Sequence, residues 1–265
     1  MYNSFQSGLK FLNYFFTASN GKGHGTHSPF IFHFINKVLD DKTHYPEYDK
    51  VEDLRSELLR NKNVLNLRDL GAGSAKAVSN RRTIASIARL AAKPKKYGQL
   101  LFRIVKAYQP SIILELGTSL GITSSYLALG KPDSKFITME GAESVASIAR
   151  ENLRKMQLQN ATLIEGNFDD TLFSVLNDIT TVDFVFIDGN HRREPTERYF
   201  QQLLAKAGND SIFIFDDIHW SAEMEQAWQN IKNNPSVQCT IDLFFIGIVF
   251  FRKEFKEKQH FIIRY

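Results

Sequence analysis

From residue 111 onward, short apolar runs alternate with longer segments whose apolar positions recur every three or four residues. Runs at 111–116, 136–140, 161–165, 182–188, 211–216, 237–242 and 246–252 predict strands. The segments between them, 122–129, 142–157, 170–176, 194–207 and 221–233, predict helices. Strands that take turns with helices predict a doubly wound, mostly parallel sheet of seven strands. A tail run at 260–264 competes with 246–252 for the seventh place. Upstream the pattern is of helices and loops. Aromatic residues crowd 1–20, and Phe11, Leu12, Tyr14 and Phe15 give that stretch one apolar face. Ser28 and Pro29 open a helix to about Val38, with the serine as cap and the proline in the first turn. A helix charged on its outer face follows at 51–59 and a short amphipathic one at 83–92, then one at 98–108 that places Leu100, Leu101, Ile104 and Val105 on one face and stops at Pro110. The chain thus reads as a helical extension, 1–95, that acts as a lid or substrate-side element, and a sheet domain, 96–265.

The turn after the first strand carries the chemistry. Glu115, Gly117 and Gly121 stand at E-x-G-x-x-x-G spacing, between a buried strand and a helix start. Glycines let backbone come close to a ligand, and the free N–H groups of the helix start attract an anion. A dinucleotide fingerprint has G-x-G-x-x-G spacing instead. The spacing found here resembles motif I of class I S-adenosylmethionine (SAM) methyltransferases. A second glycine-bearing segment, D-L-G-A-G-S at 69–74, mimics the motif but lacks a prompt helix and an acid-ended strand. It reads as a loop near the site mouth.

Ligands of open parallel sheets sit beyond the carboxyl ends of the strands, so the strand ends matter. The second strand ends in Glu140, a bidentate acceptor suited to ribose hydroxyls. The third ends in Gly166, Asn167 and Phe168: close approach, an amide for an adenine edge, and an aromatic face. The fourth ends in Asp188-Gly189-Asn190-His191, the fifth in Asp216-Asp217-Ile218-His219-Trp220. An acid at one strand end is often only a helix cap. Five polar strand ends in succession are better explained by a site.

Composition narrows the class little. The 265 residues are 43% hydrophobic and 23% charged, with a net charge of +4, which is ordinary for a soluble domain. Arg81, Arg82 and Lys93 to Lys96 read as solvated surface, so no nucleic acid partner is expected. A single cysteine, Cys239, excludes an intrachain disulfide and a cysteine-rich zinc site. No run reaches membrane-spanning length; the longest, 243–251, reads as core strand. A cytoplasmic enzyme is the default, and a homodimer is left open. His24, Thr26 and His27, in a glycine-rich loop, are candidate substrate-side groups, although ordinary loop polarity explains the histidines as well.

From about Lys96 to Trp220 the order of elements resembles the catechol O-methyltransferase-like, cation-dependent branch of the class I SAM methyltransferases, with their Rossmann-like sheet. The residues are Lys96-Tyr97-Gly98-Gln99, Leu114-Glu115-Leu116-Gly117 with Gly121, Glu140, Phe186-Ile187-Asp188-Gly189-Asn190-His191 and Asp216-Asp217-Ile218-His219-Trp220. The resemblance implies SAM as cofactor, held by Glu115, Gly117, Thr118, Ser119, Gly121, Thr123, Glu140, Gly166, Asn167, Phe168 and Asp188. It implies a magnesium ion on Asp188, Asp216 and Asp217, and transfer of a methyl group to a small hydroxylated acceptor. Two positions depart from the family. Asp217 stands where it has asparagine, and His191 where it has a lysine base. A histidine is a competent general base by itself, so a metal-free mechanism through His191 and Asp188 is the alternative, with His219 a secondary candidate. A nucleobase or amide N-methyltransferase would carry an N-P-P-Y-like segment after the fourth strand, and a nicotinamide reductase another glycine spacing. A SAM-fold binding module without catalysis is the non-enzyme alternative.

Overall fold

Apolar runs bounded by glycine, proline and polar residues become buried strands, and the amphipathic segments become the helices that cover them. A computed structural model describes residues 1–19, 28–67, 81–90 and 93–265. His24, Thr26, His27 and the 69–74 segment lie outside the described residues. Helix α1 spans Ser4–Thr17; α2, Pro29–Phe34, continues as a π-helical turn over Ile35–Leu39; α3 spans Pro46–Arg60. Strands β1 (Val64–Asn66) and β2 (Arg81–Thr83) form a small antiparallel pair, followed by α4 (Ile84–Leu90) and α5 (Lys95–Tyr108). Then come β3 (Ile112–Leu116), α6 (Ile122–Gly130), β4 (Lys135–Glu140), α7 (Glu143–Lys155), β5 (Ala161–Glu165), α8 (Phe168–Asn177), β6 (Val182–Ile187) and α9 (Arg193–Leu204). The chain closes with β7 (Ala207–Asp216), α10 (Ala222–Asn233), β8 (Cys239–Asp242), β9 (Ile246–Phe250) and β10 (Gln259–Ile262).

The chain forms two compact units, one of residues 42–178 and one of 1–41 with 179–265. The sequence reading divided it at 95/96. In the structure the described residues of 42–95 pack with the glycine turn's unit, because α3 and α4 share a core with α5 and α6: Tyr48, Leu54, Ile87, Phe102, Ile122 and Tyr126 are all buried together. Glycine makes the α5–α6 approach possible. A Cβ on Gly98 would lie 2.5 Å from the Tyr126 ring. The Tyr126 hydroxyl in turn donates to Glu52 of α3 at 2.7 Å. In this unit β3, β4 and β5 run parallel, with Leu116 beside Met139 and Glu140 beside Glu165. Their carboxyl ends therefore share one edge.

The second unit carries five strands in the order β10-β8-β9-β7-β6. β6 and β7 are parallel, β7–β9 and β8–β9 antiparallel, and β10 adds to β8 in parallel. Both candidates for the last strand are thus strands, and apart from the β1–β2 pair the described strands of the two units number eight rather than seven: β3 to β5 and β6 to β10. Phe186, Phe200, Phe213, Phe215, Trp228 and Phe250 fill this core. Helix α1 is fastened at several points. Tyr2 and Lys10 both bond Glu225, at 2.8 and 2.9 Å, and Tyr14 donates to the Ile263 carbonyl. No helix among the described residues is long and apolar enough to cross a membrane.

Candidate active site

In the unit 42–178, the turn after β3 needs left-handed backbone at three positions: Gly117 (φ 112°), Ser119 (φ 48°) and Gly121 (φ 80°). Only glycine takes such angles without strain, and two of the three are glycines. The turn is fixed from below, since the N–H groups of Gly117 and Thr118 both reach the Met139 carbonyl at 3.0 Å. Thr118 and Thr138 hydroxyls meet at 2.6 Å. Glu140, half-buried at the end of β4, accepts the Ser119 N–H at 2.8 Å and the Ala142 N–H at 2.9 Å, one on each carboxylate oxygen. These two donors, one on each oxygen, fix the orientation of the carboxylate. Gly121 caps α6, whose first turn holds the buried Thr123.

Glu115 is fully buried beneath this turn. Ser124 and Thr138 donate to its Oε2, the latter at 2.6 Å, while Oε1 has no hydrogen-bond partner. Burial pushes its carboxyl up to about 7, against the pull of those two hydroxyls and with a small push from Glu140. Its role in the structure is to tie β3 to β4 and α6. Gly166 closes β5 at φ 135°, and its N–H reaches the Glu140 carbonyl at 2.9 Å. Asn167 caps α8, accepting the Asp169 N–H at 3.1 Å, and Phe168 is left half-exposed.

In the other unit the register of β6 against β7 pairs Ile187 with Phe215. The next residue on each strand is an aspartate, so Asp188 and Asp216 come side by side. Asn190 then turns left-handed (φ 52°), a conformation asparagine tolerates. The following His191 lies with its Nε2 3.6 Å from Asp188 Oδ1. Asp188, His191 and Asp216 each offer one ligand atom within 4.8 Å of the others. Asp216 is 1% exposed; Asp188 and His191 are half-buried. The Trp220 ring centre lies 5.7 Å from that of His191.

The sequence reading grouped Asp217 with the two aspartates. Among the described residues, the cluster contains His191 instead. Asp217 takes a left-handed turn (φ 53°) with its N–H on the Phe245 carbonyl at 2.7 Å. The signal for His191 was present in the D-G-N-H spacing, but its nearness to Asp216 follows only from the strand register. His219 belongs elsewhere. It bridges Asp242 at 2.8 Å and Glu225 at 3.0 Å and stacks on Phe244. Burial favours its neutral form, yet the two carboxylates together raise its affinity for a proton. Through Glu225 that polar knot reaches Tyr2 and Lys10, more than two hundred positions away, and it had no signature in the sequence.

The chain is similar in part to known proteins. Residues 114–218 match the family described as "Methyltransferase domain". The catechol O-methyltransferase of Bos taurus is 31% identical over 150 residues, which cover 55% of this chain and 55% of that protein. The chain spans between 36% and 55% of the length of the curated relatives it matches. Among solved structures, the O-methyltransferase from Bacillus cereus in complex with SAH superposes with a TM-score of 0.56 at 19% identity, covering 82% of this chain and 96% of that one. An SAH-bound methyltransferase of Podospora anserina gives 0.59 at 11% identity over 96% and 98% of the two chains. The fold is therefore shared well beyond the matched segment, and residues 114–218 are similar to a methyltransferase domain, in a chain that resembles the catechol O-methyltransferases over about half its length.

Proposed function

We propose that the protein transfers the methyl group of SAM to an oxygen of a small hydroxylated acceptor. The observation that carries this reading is the Asp188–His191–Asp216 cluster at the ends of β6 and β7, in a chain whose glycine turn and Glu140 suit a nucleoside cofactor. The residues present fit SAM. The left-handed turn at Gly117 and Gly121 leaves room for close approach, Glu140 is oriented for paired hydroxyls, and the buried Glu115 Oε1 lacks a partner. Two carboxylates and an imidazole also fit a divalent cation. Bound there, an ion would supply Lewis acidity that stabilises an acceptor oxyanion.

The chain's own residues have definable parts. Glu140 orients the ribose. The first turn of α6, with Thr123, presents N–H groups and a hydroxyl to the cofactor's carboxylate. Asp188, His191 and Asp216 gather the acceptor's hydroxyl and favour loss of its proton. In the transfer the carbon–sulfur bond breaks as the carbon–oxygen bond forms, sulfur keeps the electron pair, and S-adenosylhomocysteine leaves. The step is an in-line displacement, so alignment of the two reactants is most of the catalysis. Trp220, beside the His191 ring, limits the orientations open to that imidazole.

The test is transfer of radiolabelled methyl from SAM to a panel of vicinal diphenols, single phenols, carboxylates and amines. Each is run with and without a chelator, and with Asp216→Asn. The expected result is labelling of hydroxylated acceptors, vicinal ones first, reduced at least about a hundredfold by chelator and by the variant. Labelling confined to amines or carboxylates, or undiminished in Asp216→Asn, would overturn the reading.

A further inference from the structure

We infer that His191 is a ligand of a mixed carboxylate–imidazole cation site with Asp188 and Asp216, and that this site takes a borderline transition ion of the manganese, cobalt or zinc class ahead of magnesium. The inference rests on the reading of this cluster as the acceptor side of methyl transfer, and it deepens that reading by assigning the imidazole and the ion.

The spacing of the three side chains suits a shared ion. A general base oriented by a carboxylate sits within hydrogen-bond reach of it, about 2.6–3.2 Å. The His191 Nε2 to Asp188 Oδ1 distance is 3.6 Å, beyond that reach. Ligand atoms that share one ion at about 2.0–2.2 Å stand about 3.0–3.5 Å apart, close to the distance found. The third donor, Asp216, completes a set whose atoms all lie within 4.8 Å of one another. These positions are built in. Asp188 and Asp216 are neighbours by β-register, and His191 returns to them because Asn190 turns left-handed. Asp216 is 1% exposed, so that donor has little freedom to wander.

The donor set decides the ion. Magnesium demands oxygen ligands and dehydrates reluctantly. Imidazole nitrogen suits zinc and its neighbours in the first transition row, and affinity at a nitrogen–oxygen site rises from manganese, the weakest of them, through cobalt. A lysine in place of His191 would bring a protonated ammonium, which repels a cation. This histidine brings a lone pair. Asp217 stands outside the three-residue set, with its backbone N–H held by Phe245.

The experiment uses the full chain saturated with S-adenosylhomocysteine and no acceptor. Manganese and magnesium are each titrated calorimetrically, and pulsed electron paramagnetic resonance of bound manganese reads the coupling to a directly bound nitrogen. The expected result is manganese at least about tenfold tighter than magnesium, with imidazole nitrogen coupling present. In His191→Ala the coupling disappears and manganese affinity falls about tenfold or more, while magnesium and S-adenosylhomocysteine affinities barely change. Asp216→Asn weakens both ions and, with retained S-adenosylhomocysteine binding, shows that the fold survives. Manganese bound without nitrogen coupling, equal affinity for the two ions, a preference that persists in His191→Ala, or no ion binding at all would each overturn the inference. Because no acceptor is present, a wrong acceptor class would show in the methyl-transfer panel and leave these readings intact.

Discussion

Burial of Glu115 has a measurable consequence for stability. Its carboxyl is fully buried under the glycine turn and pushed from an ordinary 4.5 up to about 7, burial being the main cause. Between those values the native state keeps a proton that the unfolded chain has released. Stability must therefore fall as pH rises through this window and level off above it. At about 1.4 kcal/mol per pH unit, the interval from 4.5 to about 7 amounts to about 3 kcal/mol. Glu115→Gln removes the titration and leaves a carbonyl oxygen to accept from Ser124 and Thr138. The assay is urea unfolding of the ligand-free wild type and variant at half-unit steps from about pH 4 to 8. The variant-minus-wild-type difference should move by about 3 kcal/mol in favour of glutamine across the range. A difference that is flat with pH, or that moves the other way, would refute the claim that this carboxyl is held protonated by burial.

Two further outcomes follow from contacts in the same unit. Glu140→Ala loses the oriented carboxylate that both Ser119 and Ala142 hold, and calorimetry should show S-adenosylhomocysteine binding weakened about ten- to a hundredfold. Gly98→Ala places a methyl 2.5 Å from the Tyr126 ring, which is buried and anchored to Glu52, so thermal or urea unfolding should report a loss of about 1–3 kcal/mol.

Much of the fold was legible because local rules and tertiary structure agree. Ser28 and Pro29 start a helix, Pro110 follows the end of α5, and Ser221 caps α10, each as its chemistry requires. The glycine turn was readable because its left-handed angles demand glycine at Gly117 and Gly121. Other features depend on residues that only folding brings together. The close approach of α5 to α6 needs the missing Cβ of Gly98 to admit the Tyr126 ring. The fastening of α1 needs Tyr2 and Lys10 to find Glu225 across more than two hundred positions. The polar groups at the strand ends were legible only by kind. That Asn167 is spent as a helix cap and Glu115 is sealed from solvent required the structure.

By itself, then, the amino-acid pattern determined the alternation of strands and helices, the E-x-G-x-x-x-G turn and the acidic strand ends, because each is a local property of spacing and side-chain type. The tertiary structure decided which of those acids lie together. Asp188 and Asp216 meet because β6 and β7 are in register, and His191 joins them, in place of Asp217, because one left-handed asparagine reverses the chain after β6. Register and backbone reversal are long-range and steric facts, and no count of residues along the chain contains them.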